Sequence, residues 1–369
     1  MRICFLANGQ FSHTYNWIQY FAKKGYEVHL ISLDGYKYEP LANLTVHTIN
    51  PVFPKNIKYL SFIINSWFGP FINSFKIKKL IRTIDPDILH AHYMTDYGLL
   101  GYLMHFPVFV LTLWGSDILV TPKKSLFHRI MAKYILDSAK LITCDSKFVC
   151  DESLKYCNDP EKTRIVLWGV DLTVFTPKMQ YSRTLKNITI LSTRGSSPIY
   201  NVDTIINTIP AVAKEFPDVR YIIKCIDFET DKLEREARLL KVTDFIDFNF
   251  TYFNSAEFSE LHHKADIFIS VPSSDSSSVS LHEAMASGLP VIVSDIPANH
   301  EWITHGWNGF IVPVRDPKEL AKSILQLIEN PDLMRLFGER NTQLIRDKAD
   351  RKKHMAHMEE LYHELLERK

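Results

Sequence analysis

Residues Val271–Val293 read VPSSDSSSVSLHEAMASGLPVIV. Apolar ends flanking a helix-forming middle predict a buried strand, a serine-rich loop, a short helix and a second buried strand. That is one βαβ unit of a parallel sheet. Six of the eight residues from Ser273 to Ser280 are serine, small enough for backbone and ligand to approach closely. A strand-to-helix turn leaves backbone N–H groups unpaired at the positive end of a helix dipole, a setting that suits phosphate. Asp275 lies in the loop and Glu283 follows in the helix. Two carboxylates bracketing an anion cradle suit a diphosphate with hydroxyls on both sides, which describes a nucleotide-sugar. The plainer alternative is that the serines cap the helix and Glu283 is a solvated helix residue. Ala284, Ala286 and Gly288-Leu289-Pro290 favour the first reading, because they let the helix sit tightly against the sheet and hold the carboxylate at its carboxyl edge.

The alternation continues along the chain. Strands are expected at Ile3–Leu6, Val28–Ile31, Ile88–His90, Val108–Leu113 and Leu141–Thr143, with helices at His13–Lys24, Tyr97–His105, Ser125–Ser138 and Lys147–Lys155. A linker is expected at Asp171–Lys186, where Thr, Pro and polar residues interrupt the pattern. Beyond it come strands at Thr189–Ser192, Arg220–Cys225, Ile267–Val271 and Val291–Ser294, and helices at Asn201–Phe216, Ser255–Ala265, Val279–Ser287 and Pro317–Glu329. The expected fold is α/β: two doubly wound, Rossmann-like parallel-sheet domains over residues 1–172 and 173–346, facing across a cleft. A charged helix over 347–369 is expected to return to the first domain.

Composition supports this class. The chain has 369 residues, 46% hydrophobic and 23% charged, enough for substantial cores. A net charge of +1 makes no general case for nucleic acid. Five scattered cysteines without a C-x-x-C pair suggest reduced thiols in a cytoplasmic protein. MRICFLANGQ reads as a strand and loop rather than a signal peptide, and no apolar run is long enough to span a bilayer. Neither a metal nor a cofactor is expected. Residues Pro40 to Ile84 contain no acid, but they carry Lys55, Lys58, Lys76, Lys78, Lys79 and Arg82 interleaved with Tyr59, Phe62, Trp67, Phe68, Phe71 and Phe75. A basic, aromatic helix pair over 55–82 suits an anionic membrane surface on the inner face of the cell membrane. A core helix with a solvated lysine edge fits the same residues.

Asp275, Glu283-Ala284-Met285-Ala286, Gly288 and Pro290-Val291 together resemble the signature of the family 4 retaining glycosyltransferases of GT-B fold. PDILHAH, LTLWGSDI, ITCDS and GVDLTVFTP add weaker matches in the family's order, so the resemblance covers nearly the whole chain. It implies transfer of a hexose-type sugar, with retention, from a UDP- or GDP-sugar to a glycan or lipid-linked envelope acceptor. It further implies that Glu283 bonds the ribose hydroxyls, that Asp275 faces the transferred sugar, and that Arg194 neutralises the diphosphate. Backbone N–H groups around Ser277, Ser278, Val279 and Ser280 would cradle that diphosphate. Asp275 stands where the family has the longer Glu, the serines replace a Gly-Phe-Gly run, and Tyr200-Asn201 replaces a Lys-Gly pair. Lys224, at a strand end, is a candidate for the missing cation. Gly9, Gln10 and His13 follow the first strand, where the family meets donor phosphate and acceptor. Trp114 stands where the family often has a His placed beside the reacting sugar. His92 and Trp114 are placed on the acceptor side, and Asp117 joins Asp275 and Arg194 as a catalytic candidate. A nucleotide-sugar epimerase of the same fold and a catalytically impaired binding subunit are the competing readings.

Overall fold

The computed structural model describes residues 1–49, 69–177, 187–225, 230–251 and 254–367, with side chains from Asn73 onward in the helix that begins at Gly69. Lys55, Lys58, Tyr59, Phe62, Trp67 and Phe68, the side chain of Phe71, and residues 178–186 of the expected linker lie outside the described residues. The chain divides into two units, Met1–Leu167 with His354–Lys369, and Trp168–Lys353. It thus changes unit at 167/168 and 353/354, against the 172 and 346 expected from the sequence.

In the first unit β1 (Arg2–Leu6), α1 (Ser12–Lys23), β2 (Glu27–Ser32), β3 (Leu44–Thr48), α2 (Gly69–Ile84), β4 (Ile88–His92) and α3 (Leu99–Met104) follow in order. They continue into β5 (Phe109–Thr112), α4 (Leu126–Ser138), β6 (Leu141–Cys144), α5 (Lys147–Ser153) and β7 (Thr163–Ile165). The seven strands are parallel in the order β3-β2-β1-β4-β5-β6-β7. Central strands β4, β5 and β6 are buried along their whole length, as expected of strands covered by helices on both faces. The C-terminal helix closes this unit: Tyr362 lies 2.5 Å from His90 Nδ1, and Tyr20 and Tyr26 donate to Glu359 at 2.9 and 2.6 Å.

The second unit contains β8 (Thr189–Ser192), α6 (Val202–Ile206), α7 (Ile209–Glu215), β9 (Arg220–Lys224), α8 (Thr230–Leu239), β10 (Ile246–Asn249), α9 (Ser255–Lys264) and β11 (Ile267–Ser270). α10 (Val279–Ala286), β12 (Val291–Ser294), β13 (Gly309–Val312), α11 (Pro317–Ile328), α12 (Pro331–Lys348) and the start of α13 (Arg351–Glu367) complete it. Its sheet order is β10-β9-β8-β11-β12-β13. The single helix expected over Asn201–Phe216 is two, because Pro210 has no N–H to continue the ladder and its ring crowds the preceding turn.

Where the chain enters the second unit it runs beside the segment that leaves it. Val170 N donates to Ala349 O at 2.8 Å, and Arg351 N donates to Val170 O at 3.0 Å. Gly169 makes this approach possible: its φ is +63°, and a Cβ there would meet Arg351 Cα at 2.5 Å. Gly169→Ala combines left-handed strain with overpacking, so a loss of about 2–4 kcal/mol is expected. Thermal denaturation should show it as a lower Tm, and an unchanged Tm would refute the steric argument.

Candidate active site

In both sheets the strand order reverses beside the first strand of the unit, between β1 and β4 and between β8 and β11. Ligands of doubly wound sheets bind at the carboxyl ends of the strands flanking such a point. In the second unit these ends carry Arg194, just past β8, and the 271–280 loop, just past β11. The expected cluster forms there. Arg194 Nη2 pairs with Asp275 Oδ2 at 2.7 Å, and Nη1 donates to Ser278 Oγ at 2.6 Å and Ser280 Oγ at 3.0 Å. Arg194 Nε and Thr193 Oγ1 are buried and find no partner among the described residues, although buried donors normally do. A cation with one N–H left over among the described residues, beside hydroxyls at a helix start, has the chemistry to receive an anion. Ser278 also caps α10, accepting from Leu281 N at 3.3 Å, so capping and site-building coexist in one side chain. The N–H groups of Val279 and Ser280 belong to the first turn, which has no intrahelical acceptors. Ser277 Oγ lies 3.3 Å from His282 Nε2.

Tyr200-Asn201 explains part of the departure from the family pattern. Asn201 has φ 49° and ψ 41°, the left-handed conformation that Gly adopts freely and Asn tolerates. Its Nδ2 donates to Val271 O and Ser273 Oγ, both at 2.8 Å, which fixes the start of the serine loop. The Arg194 guanidinium lies 4.3 Å from the Tyr200 ring centroid, so an aromatic face supports the remaining cation where a second cation was expected. Lys224 is buried at the end of β9. It donates to Asn249 Oδ1 at 3.3 Å and stands 6.0 Å from the Phe258 ring centroid. Burial lowers its pKa. Among the described residues, its neighbours Asn249 and Phe258 lie apart from the Arg194–Asp275 pair.

Glu283 lies on α10, one turn past the serines. Its carboxylate accepts no hydrogen bond among the described residues. Burial pushes its pKa up to about 7, against the pull of Arg351. Arg351 was not singled out in the sequence. It lies far along the chain, donates to Gly169 O at 3.4 Å, and Asp171 Oδ2 stands 4.0 Å from its Nη1.

At the corresponding edge of the first unit the outcome is different. Gly9 is tight against Gly35, whose carbonyl oxygen would stand 2.3 Å from an added Cβ, and its N–H donates to Ser32 Oγ at 3.1 Å. The residue is therefore explained by packing, and its N–H is not a free phosphate donor. Asp117 is fully buried and accepts from Met94 N at 2.8 Å and Trp114 N at 3.1 Å. Burial raises its pKa to about 6, with those backbone donors opposing. It anchors two loops, its carboxylate oxygens accepting from backbone N–H groups, an arrangement that gives it a structural role. His92 is 1% exposed, and burial together with neighbouring His13 lowers its pKa to about 3. It is a buried, neutral ring inside the unit, packed against Trp17 and Trp114. Trp114 is partly accessible and gathers Phe11, His13, His92 and Tyr93 around it at centroid distances of 5.4, 5.7, 6.2 and 6.1 Å. Gln10 is partly accessible and donates to Asp34 O at 2.9 Å. Gln10, His13 and Trp114 thus remain at the carboxyl edge, joined by Phe11 and Tyr93.

Comparison with known proteins accounts for both halves. Residues 2–146 match the family model "Glycosyl transferase 4-like", and residues 186–330 match "Glycosyl transferases group 1". An uncharacterized glycosyltransferase of Methanocaldococcus jannaschii is 27% identical over 335 residues, covering 86% of this chain and 84% of that protein. The N-acetyl-alpha-D-glucosaminyl L-malate synthase of Bacillus anthracis is 21% identical over 94% of this chain and 91% of its own. Among solved structures, sucrose-phosphate synthase from Thermosynechococcus elongatus superimposes with a TM-score of 0.81 at 15% identity, covering 100% of both chains. HepE of Anabaena, solved with UDP-glucose, has a TM-score of 0.77 at 16% identity over 98% of this chain and 99% of that one. These likenesses show the GT-B fold, and with both halves matched the chain belongs to the group 1 glycosyltransferases, with a 4-like first half.

Proposed function

We propose that the protein is a retaining glycosyltransferase that moves a hexose-type sugar from a UDP-sugar to a glycan or lipid-linked envelope acceptor. The observation that carries this reading is Arg194, held by Asp275, Ser278 and Ser280 with its Nε unpaired among the described residues, at the reversal point of the second sheet. Glu283, whose carboxylate has no hydrogen-bond donor among the described residues, is assigned to the ribose. Vicinal hydroxyls would supply the two donors it lacks. Asp275 is assigned to the transferred sugar. One of its oxygens is already on Arg194, so binding a sugar hydroxyl there ties the sugar to the cation on its leaving group. HepE solved with UDP-glucose favours UDP over GDP. A relative named alpha-monoglucosyldiacylglycerol synthase, 25% identical over 70% of this chain, favours a lipid-linked acceptor.

As the bond from the anomeric carbon to the diphosphate breaks, charge grows on the leaving oxygen. Arg194 and the first turn of α10 are arranged to stabilise it. The acceptor oxygen attacks on the same face, and its proton passes to the departing phosphate. This route needs no carboxylate nucleophile and no metal. The first unit is assigned the acceptor, through Gln10, His13 and the aromatic group around Trp114.

Incubation with UDP- and GDP-sugars, with and without an acceptor panel, tests this directly. The expected result is UDP release that depends on acceptor and a glycoside that keeps the donor's anomeric configuration. Epimerised donor formed without acceptor would replace this reading with an epimerase. Donor binding with no turnover on any acceptor would replace it with a binding subunit.

A further inference from the structure

α4 is apolar on two opposite sides. Its inner side, Ala132, Ile135 and Leu136, is buried in the core of the first unit. At ~100° per residue, Leu126, Phe127, Ile130 and Tyr134 fall within an arc of about 100° centred on the other side. They are 72%, 54%, 46% and 56% exposed. A surface helix ordinarily turns charged residues outward there. Arg129 and Lys133 instead flank the stripe on one side, and Lys123 and Lys124 precede it, all four exposed. From Ile118 to Leu136 there is no acidic residue.

The same character recurs beside it. α3 contacts both α2 and α4, and the three helices share one core cluster on the sheet. α2 exposes Phe75 at 81%, with Lys76 and Lys79 exposed next to it. We propose that the outer face of α4 docks on an anionic lipid surface, with Leu126, Phe127, Ile130 and Tyr134 entering the headgroup region and Arg129 and Lys133 meeting lipid phosphates. An interfacial helix combines an apolar stripe with flanking cations in this way. A second copy of the chain is a poorer occupant. A two-fold contact through this face would set Arg129 and Lys133 near their own copies, with Asp137 in the last turn as the one acid of the helix to offset them. The inference is independent of the donor assignment.

Flotation of the full chain with phosphatidylcholine vesicles containing ~30% phosphatidylglycerol, beside vesicles of phosphatidylcholine alone, tests it. The wild-type protein should float with the anionic vesicles and be released by ~0.5 M salt, where the Debye length is only a few ångströms. Leu126→Glu with Ile130→Glu should lose binding about tenfold or more. Arg129→Glu with Lys133→Glu should lose at least about 25-fold, at roughly fivefold per cation. All four positions are exposed, so both variants should keep the wild-type Tm. Turnover of donor onto a water-soluble acceptor should also be unchanged, which separates failure of docking from failure of the activity reading. Wild-type protein that ignores anionic vesicles, or two variants that bind as it does, would overturn the proposal. So would a wild-type dimer that Ile130→Glu dissolves while vesicle binding is absent.

Discussion

Arg194→Ala is expected to lower kcat about 10²–10³-fold, the usual cost of removing one preorganised group that meets developing negative charge. The size follows from the surroundings. The guanidinium is 10% exposed, rests on Tyr200, and is aimed by three oxygen partners. It therefore needs little rearrangement when charge appears on the leaving diphosphate. Removing it also strands the Asp275 carboxylate, 17% exposed, beside the arriving anion. Part of the loss could then come from repulsion, and a double-mutant cycle separates the two effects. Asp275→Ala alone should leave donor affinity equal or higher, since Arg194 is freed, while turnover falls. Arg194→Ala with Asp275→Ala should recover affinity but not kcat. Arg194→Lys keeps the charge but cannot make three directed contacts or stack as a plane on Tyr200, so only about tenfold should return. If Arg194→Ala keeps kcat within about threefold of wild type, its assignment to the leaving group fails.

The strands read from sequence were those buried on both faces, because only they leave continuous apolar runs. The four that escaped, β3, β7, β10 and β13, are the edges of the two sheets. LTVHT, TRI and IDFN are half wet and mix polar with apolar residues, while GFIV is short and opens with glycine. In the second unit, the strand–loop–helix pattern placed Asp275 and the serines, and the family resemblance placed Arg194, so their meeting was legible. Asp117 and His92 sit after strands too. Nothing local distinguishes a carboxylate that meets substrate from one that takes backbone N–H groups, or a histidine in a cleft from one under Trp17 and Trp114. Tyr200 was read only as a missing cation, since a ring beneath a guanidinium is a three-dimensional fact. Arg351 is 68 positions from Glu283 in sequence, and no periodicity joins them.

Affinity for a UDP-sugar should rise with pH up to about 7 and then level off. Burial raises the Glu283 pKa from an ordinary value of 4.5 to about 7, with Arg351 pulling the other way. In the free protein the proton is therefore held up to neutrality. An acid with a raised folded pKa makes the fold relatively less stable as pH climbs from 4.5 to 7, and the loss is complete above that window. Ribose hydroxyls donate to the ionised carboxylate, so bound donor lowers this pKa again, and donor and proton compete. Linkage then requires affinity to change by up to tenfold per pH unit between the bound and free pKa values, or about tenfold between pH 6 and pH 8. A nucleotide-sugar is the right ligand because its diphosphate is a diester and does not titrate in this range. Glu283→Gln keeps the shape but cannot ionise. It should bind about 10–100-fold more weakly at pH 8, at roughly 1.5–3 kcal/mol for a charge-assisted hydrogen bond, and its affinity should be flat with pH. Titration calorimetry of both proteins from pH 5.5 to pH 8 decides the matter. A flat wild-type profile, or the same slope in Glu283→Gln, would move the ribose away from this carboxylate.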